Sequence, residues 1–149
     1  MAYFGKNSAD DAQSICDENG ATLPLPRNEQ ENLDYTLAFD LIRELYDYYS
    51  SDFSVVLGAN DGTVEGEWRD VNGNELNYTN WGHDQPDDFS LWGSSGEDYA
   101  TMPADYEDSS TWNDLDGNNQ NQVICVFDEH NGNYISDESG KYAFVISKS

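Results

Sequence analysis

Basic residues are scarce in this 149-residue chain: six Lys and Arg stand against thirty Asp and Glu, a formal net charge of -24. So acidic a surface repels phosphate backbones and anionic bilayers, which argues against nucleic acid or a charged membrane as partner. The same self-repulsion opposes compaction, so a calcium-rich environment would favour the fold as well as any site within it. Long apolar runs are missing too. None reaches the roughly 18 residues of a membrane span, so direct membrane insertion is not expected. The opening "MAYFGKNS" has neither a basic n-region nor an apolar h-region and is not a signal peptide. A Met set directly before strand-like "AYF" reads as the start of a domain taken from a longer protein. Cysteine is nearly absent, with Cys16 and Cys125 near opposite ends. Paired, they would close most of the chain, worth about 4 to 5 kcal/mol by loop entropy. Two buried free thiols are the alternative, and the count alone does not choose between them. Internal repeats and low-complexity tracts are lacking as well.

The length suits one domain with a real core. Ser8 followed by Asp11 reads as an N-terminal helix cap and Asn19-Gly20 as the stop, which predicts a short helix through "ADDAQSICDE". A second helix is expected after Asn28, with Glu31 three residues on. It presents Leu33, Leu37, Leu41 and Leu45 on one face, a row assigned to the core. Beyond Asp52, "FSVVLGAND" is an apolar run of strand length closed by a turn signal. From there to about Asn121, Gly, Asn and Asp recur so often that long loops must dominate. Loops of that length in a compact domain are functional or are held by something other than a core. "VICVF" and "KYAFVIS" read as strands, the second reached through two turn signals in "EHNGNYISDESG". The class is α+β.

Oxygen-bearing side chains crowd the loop region. "ANDGTVEGEW", "QPDD", "GED" and "WND" each place acids or amides on a Gly-rich or Pro-fixed turn. Calcium takes about six to eight oxygen ligands at distances such loops can supply. Competing chemistries fare worse. "DLDGNN" and "DVNGNE" lack the Gly and Glu positions of an EF-hand loop. His83 stands near the cluster but has no His or Cys companions for a transition metal, and His130 is distant in sequence. Glycoside hydrolysis by a carboxylate pair is set aside, because acids committed to a metal are not free to shuttle protons.

The order and spacing of "DAQSIC", "GATL", "VLGANDGTVEGEW", "NYTNW", "QPD", "GED", "WND" and "VICVF", from about Tyr3 to Phe127, resemble the C-type lectin-like domain. The resemblance implies two helices, two small antiparallel sheets and a long calcium-binding loop region. Residues 1–127 would form this domain, and 128–149 a C-terminal extension adding strands or leading to a neighbouring domain. It also implies that Cys16 and Cys125 form a disulfide, and so an oxidising, extracellular or cell-surface setting.

Carried over residue by residue, the resemblance implies that Gln85, Asp87, Glu97, Asn113 and Asp114 hold a sugar-site calcium. Asp61, Glu65, Asp88 and Asp98 would hold an auxiliary one, giving one or two ions. A cis Gln85-Pro86 bond can aim the side chains of Gln85 and Asp87 at one ion. A bound sugar would place two neighbouring hydroxyls on the metal, each donating to a carboxylate and accepting from an amide. In the family "QPD" goes with galactose-type and "EPN" with mannose-type sugars. Phe89, with Trp92 as its alternative, would cover the apolar sugar face. Fucose also offers a suitable hydroxyl pair.

Departures from the family pattern are equally informative. Most members carry an inner disulfide directly after "ED" and shortly after "WND"; here Tyr99 and Gly117 stand at about those positions. The loop region is then expected to depend more on calcium for its order. The expected function is calcium-dependent binding of surface glycans for adhesion, without enzymatic activity, within a larger multidomain protein such as a bacterial surface adhesin. The alternatives are a calcium-stabilised protein- or ice-binding module, or a structural spacer.

Overall fold

Ser8 ends strand β1 (Ala2–Ser8) and caps helix α1 (Ala9–Glu18). Its hydroxyl oxygen accepts the Asp11 N–H at 3.3 Å, satisfying one of the helix's free donors. Asp10 and Asp11 add negative charge where the helix dipole is positive. Asn19 and Gly20 end the helix as the sequence expects, Gly20 at φ 70°. Ala9, Ala12 and Cys16 lie along the buried stripe, packed with Leu23, Val56, Val123 and Cys125. Cys16 is bonded to Cys125 at 2.08 Å, joining residues separated by 109 positions.

The computed structural model describes residues 1–45, 53–88, 96–103 and 108–127. Phe89, Trp92, His130, the strand expected at "KYAFVIS" and the rest of the 128–149 extension lie outside the described residues.

Helix α2 (Glu29–Leu45) starts where Asn28 Oδ1 accepts the Glu31 N–H at 2.8 Å. Its orientation corrects the sequence reading. Leu33, Leu37, Leu41 and Leu45 are not core; they are 46%, 64%, 54% and 54% exposed. The inward face carries Asn32, Thr36, Phe39 and Ile42 instead. Two of these are polar, and hydropathy alone counts them outward. Both are partnered: Asn32 accepts from Trp112 Nε1 at 2.8 Å and donates to the Ser110 carbonyl at 2.8 Å, while Thr36 donates to the Asn32 carbonyl at 2.7 Å. A buried polar group with its hydrogen bonds made costs little, so these contacts help fix the helix's rotation.

Five further strands follow β2 (Ala21–Thr22): β3 (Val55–Asn60), β4 (Arg69–Asp70), β5 (Tyr99–Met102), β6 (Asn113–Leu115) and β7 (Gln120–Phe127). The main path runs β1-β7-β3-β5-β6, with β2 added on β7 and β4 on β3. Every pairing is antiparallel except β3 with β7 at Val55↔Gln122. That parallel contact, where the Gln122 N–H reaches the Ser54 carbonyl at 2.8 Å, joins the two expected small sheets into one mixed sheet. β7 is buried from Asn121 to Cys125. Val123 and Cys125 pack on the α1 side, and Ile124 joins the larger core with Phe39, Ile42 and Trp112. The result is an α+β fold whose long acidic loop region starts at the end of β3.

Candidate functional site

Tryptophans fix the floor of the loop region. Trp112 is fully buried, and its ring meets Trp81 at 5.6 Å and 78°. Trp81 in turn meets Trp68 at 4.6 Å and 61°. Such edge-on pairs add attraction beyond the area they bury. Backbone bonds run in parallel, from Gly82 N–H to the Trp112 carbonyl and from Trp112 N–H to the Asn80 carbonyl, both 2.8 Å. The segment leading into "QPD" is thereby tied to "WND".

Above this floor, the turn from Gly82 to Asp88 folds back on itself, with the Gln85 N–H on the Gly82 carbonyl at 3.0 Å. The Gln85-Pro86 bond is cis. The buried Asp114 carboxylate holds the turn, Oδ1 accepting the Asp87 N–H at 3.1 Å and Oδ2 the Asp88 N–H at 2.7 Å. Asp88 passes the connection on: its Oδ1 accepts the Glu97 N–H at 2.9 Å. Gly96 makes that approach possible, because at φ 96° a Cβ there would meet Asp88 Oδ1 at 2.4 Å. Two loops and strand β6 thus bring carboxylate oxygens of Asp87, Glu97 and Asp114 within 4.8 Å of one another.

A second group forms beside it. Asp61, Glu65 and Asp98 also bring carboxylate oxygens within 4.8 Å of one another. Asp61 Oδ2 accepts the Gly66 N–H at 2.9 Å, and the Asp61 N–H reaches the Asp98 carbonyl at 3.1 Å. Asp88 is not one of this trio; it links the two groups through its charge on Asp98 and Glu65. Asn113 sits half-buried on β6 next to Asp114.

Crowded acids resist ionisation. Burial, followed by the charges of Asp61, Asp88, Asp116 and Asp10, pushes the Asp98 carboxyl up. Burial also raises Asp114, against the lowering effect of the N–H groups it accepts, and Asp87 adds to the rise. Glu65 is raised by lost hydration, then by its hydrogen bond with Asp61 and that residue's charge. Among the described residues no Lys or Arg pairs with Asp61, Asp98 or Asp114. Among the described residues three buried acceptors have no hydrogen-bond partner: Gln13 Oε1 on α1, Asp61 Oδ1 within the second group, and Gln85 Oε1, two residues before Asp87 of the first. A buried unmet acceptor is costly, and a hard divalent cation satisfies such oxygens. All-oxygen donor sets of carboxylate and amide, with no sulfur or imidazole, fit calcium.

Two acids outside these groups, Asp70 and Asp116, are engaged locally. Asp70 Oδ1 accepts the N–H groups of Asn72 and Asn74 at 2.8 and 2.9 Å, and Asp116 Oδ1 accepts that of Asn118 at 2.8 Å. The EF-hand-like strings are therefore side-chain-capped turns. Burial pushes the Asp70 carboxyl up, but these N–H groups outweigh it and hold it below the usual value. His83 is almost fully exposed and faces Asp84 at 2.8 Å. The tryptophan floor and the Asp88–Glu97 link were not singled out from sequence. Their signals were Trp68, Trp81 and Trp112 and the glycine before Glu97.

The arrangement has relatives. The Lectin C-type domain family matches residues 5–127, a span that holds both helices and both carboxylate groups. A mannose-binding protein of Gallus gallus is 33% identical over 114 residues, which are 76% of this chain and 37% of that protein. The carbohydrate-recognition domain of the mouse scavenger receptor C-type lectin superposes with TM-score 0.67 at 23% identity, covering 84% of this chain and 85% of that one. Human lithostathine gives TM-score 0.65 at 18% identity, covering 85% and 81%. The two solved structures share the fold, and the family match is made on the sequence itself. This chain belongs to the C-type lectin domain family.

Proposed function

We propose that this domain binds carbohydrate through calcium held by Gln85, Asp87, Glu97, Asn113 and Asp114, and that its ligands are galactose-type or fucose-containing glycans. The observation that carries the reading is the convergence of the Asp87, Glu97 and Asp114 carboxylates from two loops and strand β6, with the buried Gln85 Oε1, two residues before Asp87, left without a partner. When bound, calcium supplies coordination positions that neighbouring sugar hydroxyls can fill. Asp114 aims the turn by accepting two of its backbone N–H groups. Glu97 is placed by Asp88 through its own N–H. Asp61, Glu65 and Asp98 would hold a second calcium that stiffens the loop carrying Asp98 and its neighbour Glu97.

The sugar preference rests on the string Gln85-Pro86-Asp87, with the amide first and the carboxylate second. Reversing that order exchanges donors and acceptors around the metal and favours a different hydroxyl pair. The Gallus gallus relative is named for mannose, so mannose is the contrast to test. The disulfide suits an oxidising compartment outside the cell, where a glycan-binding module of a surface adhesin would act.

A glycan array in millimolar calcium, repeated with a chelator, tests this reading. Signal on galactose- or fucose-terminated glycans that disappears with the chelator supports it. Signal confined to mannose overturns the specificity, and no calcium-dependent signal overturns the sugar site.

A further inference from the structure

One residue of α1 reaches the start of β5 and the turn after β6, the two segments that border the candidate ligands. Glu97 and Asp98 run directly into β5, Asn113 and Asp114 lie on β6, and Tyr99 pairs with Leu115 across that ladder. Burial, and after it the Asp10 carboxylate facing the hydroxyl from the first turn of α1, push the Tyr99 phenol up to about 12. The Asp10 N–H donates to the Gly117 carbonyl at 3.1 Å. Its carboxylate lies directly over Gly117, where an added Cβ would meet Oδ1 at 2.3 Å and Cγ at 2.7 Å. A single carboxylate therefore faces the first residue of β5 and sits on the bare backbone of the turn that follows β6. Tyr99 and Gly117 are the two positions at which the sequence lacks the cysteines of an inner bridge.

We propose that Asp10 is a positioning residue: it fastens the paired end of β5 and β6 to α1, where no disulfide links Tyr99 to Gly117, and so sets how tightly the loops hold calcium. The proposal rests on the calcium reading above for its second half only. Its physical content is that ligand strands anchored before the metal arrives need less ordering when it binds, and outer contacts of this kind are worth about 10- to 100-fold in metal affinity. Asp10 also acts on Asp98 through its charge. That effect is separable, because Tyr99→Phe removes the hydroxyl and keeps the charge, whereas Asp10→Asn keeps an acceptor of the same shape and removes the charge.

The test is calcium titration by calorimetry on the whole chain, with amide hydrogen exchange on the calcium-free protein and circular dichroism to establish folding. Tyr99→Phe and Asp10→Ala should weaken calcium binding about tenfold. Asp10→Asn should stay within about fivefold of wild type, the range of an exposed charge pair. In the calcium-free chain, Tyr99→Phe should speed exchange at residues 97–101 and 113–116 while leaving β1 and β7 unchanged. If Tyr99→Phe fails to fold, the contrast between Asp10→Ala and Asp10→Asn carries the same decision. Wild-type affinity and exchange in Tyr99→Phe would overturn the proposal, as would equal losses in Asp10→Asn and Asp10→Ala. If the wild-type chain binds no calcium, the functional reading fails, and exchange alone then judges the clasp.

Discussion

The two ends of this molecule are held by different means. Where α1, β2 and the ends of β7 meet, alanines, Leu23, Val123 and a disulfide make a dry junction with almost no charge. Among the described residues between Asp61 and Asp98 the only strand is β4, and the two groups of clustered acids are placed largely by carboxylates that accept backbone N–H groups. The first region is stable by burial and covalent closure. The second is arranged but electrostatically unsatisfied, so a bound cation should change it far more than the first. The difference shows where the fold leaves room for function: the apolar end fixes strand positions, and the loop end gathers carboxylates that pair with no Lys or Arg among the described residues.

The largest effect should come from opening the covalent end. Reduction, or paired Cys16→Ser and Cys125→Ser substitutions, should cost about 4 to 5 kcal/mol by the loop-entropy account, read as a shift in the urea midpoint. A loss below about 1 kcal/mol would mean that packing alone holds that junction. Next is the larger core beneath the tryptophan floor: Phe39→Ala should cost about 3 to 5 kcal/mol, measured the same way. Calcium should act on the other end. At about 100 times its dissociation constant it should add about 2.7 kcal/mol, with slowed amide exchange concentrated in residues 61–66, 84–88 and 97–98. Protection spread evenly over β1 and β7 would erase the contrast between the ends.

Acidity gives a smaller effect with a definite sign. Asp98 and Asp114 have folded-state pKa values raised above the usual 3.8. The folded chain therefore holds these protons more tightly than the unfolded chain, and its stability is greatest where they are bound. As pH rises from the ordinary carboxylate value through the raised ones, the calcium-free domain should lose stability. Saturating calcium should remove that loss, because the metal then offsets the charges that the protons neutralised. A calcium-free stability that climbs over the same range would contradict the electrostatic account. The smallest effect is expected on the outer face of α2, where Leu37→Glu should change stability by no more than about 0.5 kcal/mol, although the same helix loses several times that from Phe39→Ala.

That last pair shows what was legible in the sequence. Helix starts could be read because Ser8 and Asn28 cap through local hydrogen bonds, and the apolar "VVLG" and "VICVF" runs mark β3 and β7 directly. The rotation of α2 could not. It depends on Asn32 meeting Trp112 and Ser110 from 80 and 78 residues away, and no local pattern encodes such a partnership. The merging of two sheets into one likewise rests on one long-range contact, Val55 beside Gln122. At the site, the acids of the "QPD", "GED" and "WND" strings are legible through the resemblance to the C-type lectin-like domain, which their residue types suit. Their supports are not. Asp88 is expected from the resemblance as an auxiliary calcium ligand, whereas its bond to the Glu97 N–H and its fit against Gly96 are visible only in the fold. Asp10 reads as a helix-start acid until Tyr99 and Gly117 are found against it.

The most direct test of the central claim is a galactose titration followed by nuclear magnetic resonance on the calcium-loaded domain and again after chelation. Calcium-dependent, saturable shifts at the side-chain amides of Gln85 and Asn113, absent with mannose, are what the account predicts. Shifts that persist after chelation, or calcium-loaded spectra in which those two amides ignore galactose, would contradict it.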